Sequence, residues 1–203
     1  MAVTVGEPYG KLDFGRRVKV LAGHLAGLIP PQAKVLDVGC GDGAIDALIS
    51  HQLAGVSIQG IDVLVRPDAH IPVRPFDGIH IPYPDASFDV VMFVDVLHHT
   101  DDPLLSLQEA RRVGKIILIK DYVQQGLLAG ATLRLMDRIG NSHDDVVLPY
   151  NYWPKTQWAA SFDAVGLTQV ERLTSLGLYV APASWIFERA LHFISRLERD
   201  DNT

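Results

Sequence analysis

The sequence predicts one α/β domain in which helices cover both faces of a mostly parallel sheet. Short apolar segments alternate with segments of helical period along the chain. Two of the short segments, 35–38 and 87–94, are apolar almost throughout, which is typical of strands buried on both faces. A strand, a helix and a second strand in succession favour parallel pairing. At 203 residues and 48% hydrophobic, the chain suffices for one well-buried domain over its whole length, 1–203.

The first part of the chain predicts a flanking helix and then two strands joined through a glycine-rich turn and a helix. Apolar residues recur at helical spacing from Phe14 to Leu28, and Pro30 ends that pattern. The second helix follows the glycines from about Asp42, and Gly55 terminates it. The predicted elements are a helix over about 12–29, strands at 35–38, 56–62 and 73–76, and a helix over 44–53.

The second part predicts further strands and helices around an irregular insert. Asp102 and Pro103 form a helix start, with a capping carboxylate followed by proline in the first turn. The predicted elements are strands at 87–94, 115–121 and 167–173, helices over 103–113, 126–140 and 156–165, and an insert over about 122–155. The segment 185–194 fits either a strand or an amphipathic terminal helix, and its pattern leaves both open.

The composition argues against several classes of protein. With 18 basic and 24 acidic side chains the net charge is −6, and no cluster of Lys and Arg alternates with aromatic residues, so no nucleic-acid partner is expected. Charged residues interrupt the first thirty positions, unlike a signal peptide, and no run approaches the ~18 apolar residues of a membrane span. We therefore expect a cytoplasmic protein without integral membrane association. The single cysteine, Cys40, excludes an internal disulfide and a thiolate-rich zinc site.

The glycine-rich turn after the first strand is the strongest chemical signal. Gly39, Gly41 and Gly43 permit a tight turn and close approach of the backbone to a ligand, while Asp37 places a carboxylate beside it. The helix that follows directs unpaired N–H groups at the same place. Asp62 ends the second strand, where its two acceptor oxygens suit the hydroxyls of a ribose. The turn thus predicts a nucleoside cofactor, and its spacing also fits a dinucleotide fingerprint.

Three segments together resemble the class I methyltransferases that use S-adenosylmethionine, in the small-molecule branch typified by ubiquinone and menaquinone biosynthesis. They are Val35-Leu-Asp-Val-Gly-Cys-Gly-Asp-Gly43, Gly60-Ile-Asp62, and the segment 76–99 from Phe76-Asp-Gly78 to Val94-Asp-Val-Leu-His-His99. The resemblance implies a Rossmann-like three-layer sandwich. It also implies a seven-stranded, mostly parallel sheet with an antiparallel strand near one edge, for which 185–194 is the candidate segment.

The resemblance also assigns roles to residues around the cofactor. It implies that Asp37 holds the methionine amino group, that Asp62 binds the ribose, and that Asp77 with the backbone of Gly78 contacts adenine. The backbone near Val94 and Asp95 is expected to face the methionine moiety. The complete predicted cofactor site is Asp37, Gly39, Cys40, Gly41, Asp62, Val63, Asp77, Gly78, Val94 and Asp95.

Methyl transfer from a sulfonium needs no metal, but a base assists when the acceptor is a phenol, an enol or an acidic carbon. The candidate bases are His98, His99, His143 and the nearby Asp144, and for His99 the alternative is packing or hydrogen bonding beside the cofactor. Tyr150, Tyr152 and Trp153 in the insert are candidates for binding an apolar or aromatic acceptor. The alternative is that these aromatic side chains anchor a long loop.

Two other functions remain open on the sequence. One is a module that binds S-adenosylmethionine without turnover and acts as the partner or regulator of another enzyme. The other is an NAD-dependent oxidoreductase, which the glycine spacing and Asp62 favour but in which Asp37 has no role. The apolar segment 176–187 is compatible with a lipid-like acceptor tail and also with a homodimer contact.

Overall fold

A computed structural model describes residues 7–140, 151–188 and 190–200. Strands and helices alternate along these ranges, and a short 3-10 turn, Leu97–His99, follows the fourth strand. The strands are β1 (Lys34–Val38), β2 (Ser57–Asp62), β3 (Val73–Pro75), β4 (Phe88–Val94), β5 (Gly114–Tyr122), β6 (Leu167–Leu173) and β7 (His192–Arg199). The helices are α1 (Glu7–Ala26), α2 (Ala44–Gln52), α3 (Pro103–Val113), α4 (Ala129–Gly140), α5 (Lys155–Ala164) and α6 (Ser184–Phe187).

The seven strands form one sheet in the order β3-β2-β1-β4-β5-β7-β6. β1 pairs in parallel with β2 and β4, and the parallel pairing continues to β3 on one side and β5 on the other. β7 lies between β5 and β6 and is antiparallel to both. The predicted Rossmann-like fold, with its antiparallel strand near one edge, is therefore confirmed.

Alternating residues of the central strands build an apolar core on each face of the sheet. In β4, Val91 and Phe93 point to the face covered by α3 and α5, while Val90 and Met92 point to the face covered by α1 and α2. Each of these four side chains is at most 1% exposed. Burial on both faces explains why the sequence of β4 is apolar without alternation. No helix in the described part of the chain has both the length and the hydropathy of a membrane-spanning segment.

The segment 185–194, expected as the antiparallel strand, is not one element. Its first residues belong to α6, and the strand begins only at His192 and continues to Arg199. The charged residues at the end of β7 interrupt the apolar pattern that would predict a strand from the sequence. Arg196 is accommodated because it pairs with Glu198 at 2.7 Å and donates to the carbonyl of Leu28 at 3.0 Å.

Two helix starts also differ from the predicted positions. α1 begins at Glu7 rather than near residue 12, since proline at position 8 is compatible with a first helical turn. The same helix ends at Ala26 rather than near 29. α4 begins at Ala129 rather than 126. Gly126 and Leu128 both have positive φ values, 89° and 64°, which are incompatible with a right-handed helix.

Candidate cofactor and acceptor site

Most of the residues predicted to bind a cofactor gather in one cleft at the carboxyl edge of the sheet. The strand order reverses between β1 and β4, and a cleft of about 460 Å³ opens there. Such a reversal is where open parallel sheets bind ligands. The cleft is lined by Asp37, Gly39, Cys40, Gly41, Asp62, Val63, Val94, Asp95, His98 and His99, together with Arg17, Tyr122 and Met136.

The glycine turn has the backbone geometry that its sequence predicts. Gly39 and Gly41 have φ values of 74° and 58°, in the left-handed region that favours glycine. A Cβ atom at Gly39 would come within 2.7 Å of a methyl group of Val96, so the turn also requires glycine for space. The same addition at Gly41 meets no atom within 4 Å, because that side of Gly41 is open. The turn therefore exposes backbone to whatever occupies the cleft.

Asp62 fixes the glycine turn while keeping capacity for a ligand. One carboxylate oxygen accepts from the N–H of Gly41 at 2.8 Å and the other from the N–H of Leu64 at 2.9 Å. Each carboxylate oxygen has two acceptor sites, so both can also accept from a ligand hydroxyl. This arrangement fits the pair of hydroxyl groups of a ribose.

Asp37 carries an unsatisfied acceptor in the wall of the cleft. It is 2% exposed, and its Oδ1 atom has no hydrogen-bond partner among the described residues. Burial raises the pKa of Asp37 well above its usual value, and the nearby carboxyl of Asp46 raises it further. A buried carboxyl without a donor fits the amino group of an amino-acid ligand. Asp46 was missed by sequence reasoning, although its position three residues before the buried Ile49 places both on one helical face.

Cys40 is a packing residue with a protonated thiol. Burial raises the pKa of Cys40, and the charges of Asp37, Asp46 and Asp62 raise it further. A Cβ atom at Gly60 of β2 would lie 2.2 Å from the Cys40 sulfur, so Gly60 leaves the space that the thiol fills. A nucleophilic role requires thiolate, which this environment disfavours.

Asp77 and Gly78 lie beside the main cleft rather than in its lining. The Asp77 carboxylate accepts from the N–H groups of Ile79 and His80 at 2.8 and 2.7 Å and contacts the His80 ring at 3.0 Å. These hydrogen bonds, led by the one to His80, lower the pKa of Asp77 to about 2. Gly78 lines a small apolar pocket together with Phe76. The adenine contact expected for Asp77 stays a prediction.

Asp95 joins a partly buried ion network that the sequence did not reveal. Its carboxylate pairs with Arg17 of α1 and with Lys120 of β5. Burial opposes ionisation of Asp95, but the positive charges of Lys120 and Arg17 outweigh it and hold the pKa of Asp95 well below its usual value. Lys120 is 0% exposed, and burial lowers its pKa to about 8 despite the opposing charge of Asp95. Arg17 could have been found because it shares the helical face of Phe14 and Leu21.

His98 forms a buried pair with Asp121 at the acceptor end of the cleft. The 3-10 turn after β4 carries His98, whose Nδ1 atom lies 2.7 Å from a carboxylate oxygen of Asp121. Asp121 also accepts from the N–H groups of His98 and Tyr122, at 3.3 and 2.6 Å. Because an ionised carboxylate only accepts, we assign the proton to Nδ1, which leaves Nε2 as the basic nitrogen. His99 lines the cleft and packs against His98 with the two rings tilted by 48° and their centroids 3.8 Å apart.

The predicted acceptor residues separate into different environments. Tyr152 joins an apolar cluster with Tyr122, Leu133 and Met136, and its ring stacks on His98 at 5.8 Å. Trp153 instead packs on Trp158 at 5.0 Å, as expected of a loop anchor. His143, Asp144 and Tyr150 lie outside the described residues.

The chain is similar to methyltransferases in both sequence and structure. Residues 36–116 match the family model described as a methyltransferase domain. The chain is 27% identical to the 2-methyl-6-phytyl-1,4-hydroquinone methyltransferase of Synechocystis sp. over 86% of its length and 56% of that protein. It is 32% identical to the 27-O-demethylrifamycin SV methyltransferase of Amycolatopsis mediterranei over 46% of its length and 39% of that protein. The chain thus spans about half the length of these curated relatives or less.

A solved structure extends the likeness of the fold. The SAM-dependent methyltransferase from Aquifex aeolicus superimposes with a TM-score of 0.63 and 18% identity, covering 93% of this chain and 96% of that one. At this identity the superposition establishes the shared fold. With the glycine turn and the matched domain, the chain resembles the class I S-adenosylmethionine-dependent methyltransferases, including the enzymes of ubiquinone and menaquinone biosynthesis.

Proposed function

We propose that the protein transfers a methyl group from S-adenosylmethionine to an acidic hydroxyl of a small apolar or aromatic acceptor. The observation that carries this proposal is the buried pair of His98 and Asp121 on the wall of the cleft that also contains Asp37 and Asp62. A base with an orienting carboxylate has a use when the acceptor must lose a proton. The two ends of one cleft therefore have different tasks.

The residues of the cofactor end fit S-adenosylmethionine, whose sulfonium supplies an activated methyl group. Asp62 would accept from the ribose hydroxyls, Asp37 from the amino group, and the open backbone at Gly41 would lie against the amino-acid part. Val63 is 66% exposed at the rim of the cleft, where it would cover the nucleoside. The adenine base would lie beside Asp77 and Gly78, next to the main cleft.

At the acceptor end, His98 would take the hydroxyl proton at Nε2 as the oxygen becomes nucleophilic. Asp121 would hold the ring in the required tautomer and stabilise the imidazolium that forms. Asp121 is 0% exposed, so little water screens this interaction. His99, packed against His98 at a tilt, would restrain the ring without a direct proton-transfer role.

An apolar acceptor suits the cluster next to His98. Tyr122, Leu133, Met136, Tyr152 and Leu191 are each at most 8% exposed and form one continuous apolar cluster. The name of the Synechocystis relative includes a hydroquinone. Such a molecule would bind with its aromatic ring against this cluster and its hydroxyl beside His98. We therefore propose phenols and hydroquinols as the acceptor class, with Tyr152 as a contact residue.

The first test is calorimetric titration with S-adenosylhomocysteine, with NAD as the parallel ligand. Saturable binding of S-adenosylhomocysteine alone supports the proposal, and transfer of a labelled methyl group to hydroquinols, phenols and amines then identifies the acceptor. Binding of NAD alone would move the protein to the oxidoreductases. Binding of S-adenosylhomocysteine with no transfer to any acceptor would favour a module that serves another enzyme.

The remaining expectations are part of the same proposal. We place the protein in the cytoplasm, as a single methyltransferase domain over residues 1–203. In this proposal the helix expected over about 12–29 flanks the cleft, and the insert expected over about 122–155 serves the acceptor; residues 141–150 of it lie outside the described part of the chain. Light scattering of the purified chain tests the homodimer that the apolar segment 176–187 allows.

A further inference from the structure

Asp46 is a second buried carboxyl beside Asp37, and the proposed function does not use it. Asp46 lies in the first turn of α2 and is 0% exposed, while Asp37 in β1 is 2% exposed. The two carboxyl groups are close enough for the charge of Asp46 to raise the pKa of Asp37. Asp37 Oδ1 and both carboxyl oxygens of Asp46 have no donor from any other described residue. Because carboxylates only accept, two buried carboxyls this close favour one shared proton.

The largest charge effects on this pair come from other carboxyls, although Arg66 lines the same cleft. Asp62 approaches Asp37 from the end of β2, and Asp42 approaches Asp46 from the glycine turn. The thiol of Cys40 stays neutral, as described above. Arg17 lines the same cleft, but its guanidinium pairs with Asp95. Burial raises the pKa of Asp37 well above its usual value and raises that of Asp46 to about 6. Both effects favour retention of one proton near neutral pH.

We infer that Asp37 and Asp46 share one proton in the free protein and that the ammonium group of the bound cofactor displaces it. The ammonium N–H groups then donate to the two carboxylates, and the displaced proton passes to solvent. One positive charge replaces another, so the buried pair stays compensated, and no covalent bond to carbon changes. The inference rests on the proposed function, because it takes S-adenosylmethionine as the ligand. It makes Asp46 a residue of the cofactor site.

Proton release makes affinity depend on pH. Where binding releases one proton, each unit by which the pH falls weakens affinity about tenfold. The dependence disappears at higher pH, where the free protein no longer holds the shared proton. A nucleoside without the amino-acid part leaves the proton in place, so its affinity is independent of pH over the same range.

The test measures proton release directly by calorimetry. S-adenosylhomocysteine and 5′-methylthioadenosine are titrated into the full chain at pH 6.5 in two buffers of different ionisation enthalpy. We expect release of about one proton for S-adenosylhomocysteine and none for 5′-methylthioadenosine, which lacks the ammonium group. In Asp46→Asn the amide donates to Asp37 at every pH, so release should fall close to zero. Asp68→Asn, at an exposed position, is the matched control and should behave as the wild type.

The outcomes separate this inference from the proposed function. Binding of S-adenosylhomocysteine without proton release overturns the inference alone, and so does equal release by both ligands or by wild type and Asp46→Asn. Absence of any S-adenosylhomocysteine binding overturns the proposed function as well. If Asp46→Asn does not fold, the comparison of the two ligands on the wild-type protein decides the question.

Discussion

The two ends of the cleft handle charge in opposite ways. At the end of the cleft proposed for the cofactor, Asp37 and Asp46 are buried, and the largest charge effects on them come from other carboxyls. Next to His98, Asp95 pairs with both Arg17 and Lys120, and Asp121 accepts three hydrogen bonds. Buried carboxyls surrounded by other carboxyls are suited to bind a cation, and charges that are already paired are suited to an uncharged, apolar acceptor. This difference in charge pairing supports the different tasks proposed for the two ends of the cleft.

The largest expected effect is a loss of catalytic rate without a loss of cofactor affinity, which would distinguish the acceptor end from the cofactor end. We expect His98→Asn to lower kcat for a hydroxyl acceptor about 10²- to 10⁴-fold, because proton removal in the transition state is lost. Affinity for S-adenosylhomocysteine should stay within about twofold of wild type, since His98 belongs to the acceptor end. Steady-state rates and calorimetry measure the two quantities. His51→Asn, at an exposed site on α2, is the control, and an equal loss of cofactor affinity in His98→Asn would contradict the separation.

The ion network around Lys120 should make the free energy of unfolding depend on pH. Burial lowers the pKa of Lys120 from 10.5 to about 8, so between these values the unfolded chain binds more protons than the folded chain. Lys120 therefore contributes a stability that rises with pH from 8 to 10.5, by roughly 3 kcal/mol in total. Lys120→Met should remove this contribution, and denaturant unfolding at pH 7.5 and 10 measures it. The same pH dependence in Lys120→Met and wild type would show that Lys120 is not the source.

The two ends also differ in how far the sequence predicted them. The cofactor end is local, because Asp37, the glycine turn and Asp62 lie within one strand–helix–strand unit whose geometry follows from its residue types. The acceptor end draws Arg17, His98, Lys120 and Tyr152 from distant segments, and their meeting depends on helix packing and strand order. Lys120 was hidden inside an apolar strand pattern. For the same reason β7 was misplaced: partners elsewhere in the fold accommodate its charges.

Removing the carboxylate proposed to bind the ribose tests the cofactor end alone. Asp62→Ala should weaken S-adenosylhomocysteine binding about 10- to 100-fold, because a charged acceptor is lost and the Gly41 N–H is released. The turnover rate at saturating cofactor should change far less. Calorimetric titration gives the affinity, and Asp68→Ala serves as the control at an exposed position of the following loop. An affinity like that of the wild type would place the ribose elsewhere.

The smallest expected effect concerns Cys40, which lies in the acidic end yet contributes no charge. Its raised pKa leaves very little thiolate at pH 8, since burial and the neighbouring carboxylates both disfavour the anion. Alkylation of Cys40 by iodoacetamide should therefore be at least about tenfold slower than that of glutathione. Cys40→Ala should bind S-adenosylhomocysteine within about threefold of wild type, because only packing over Gly60 changes. Rapid alkylation that S-adenosylhomocysteine suppresses would instead mean that a cation lies near the Cys40 sulfur. That result would contradict the difference in charge between the two ends of the cleft.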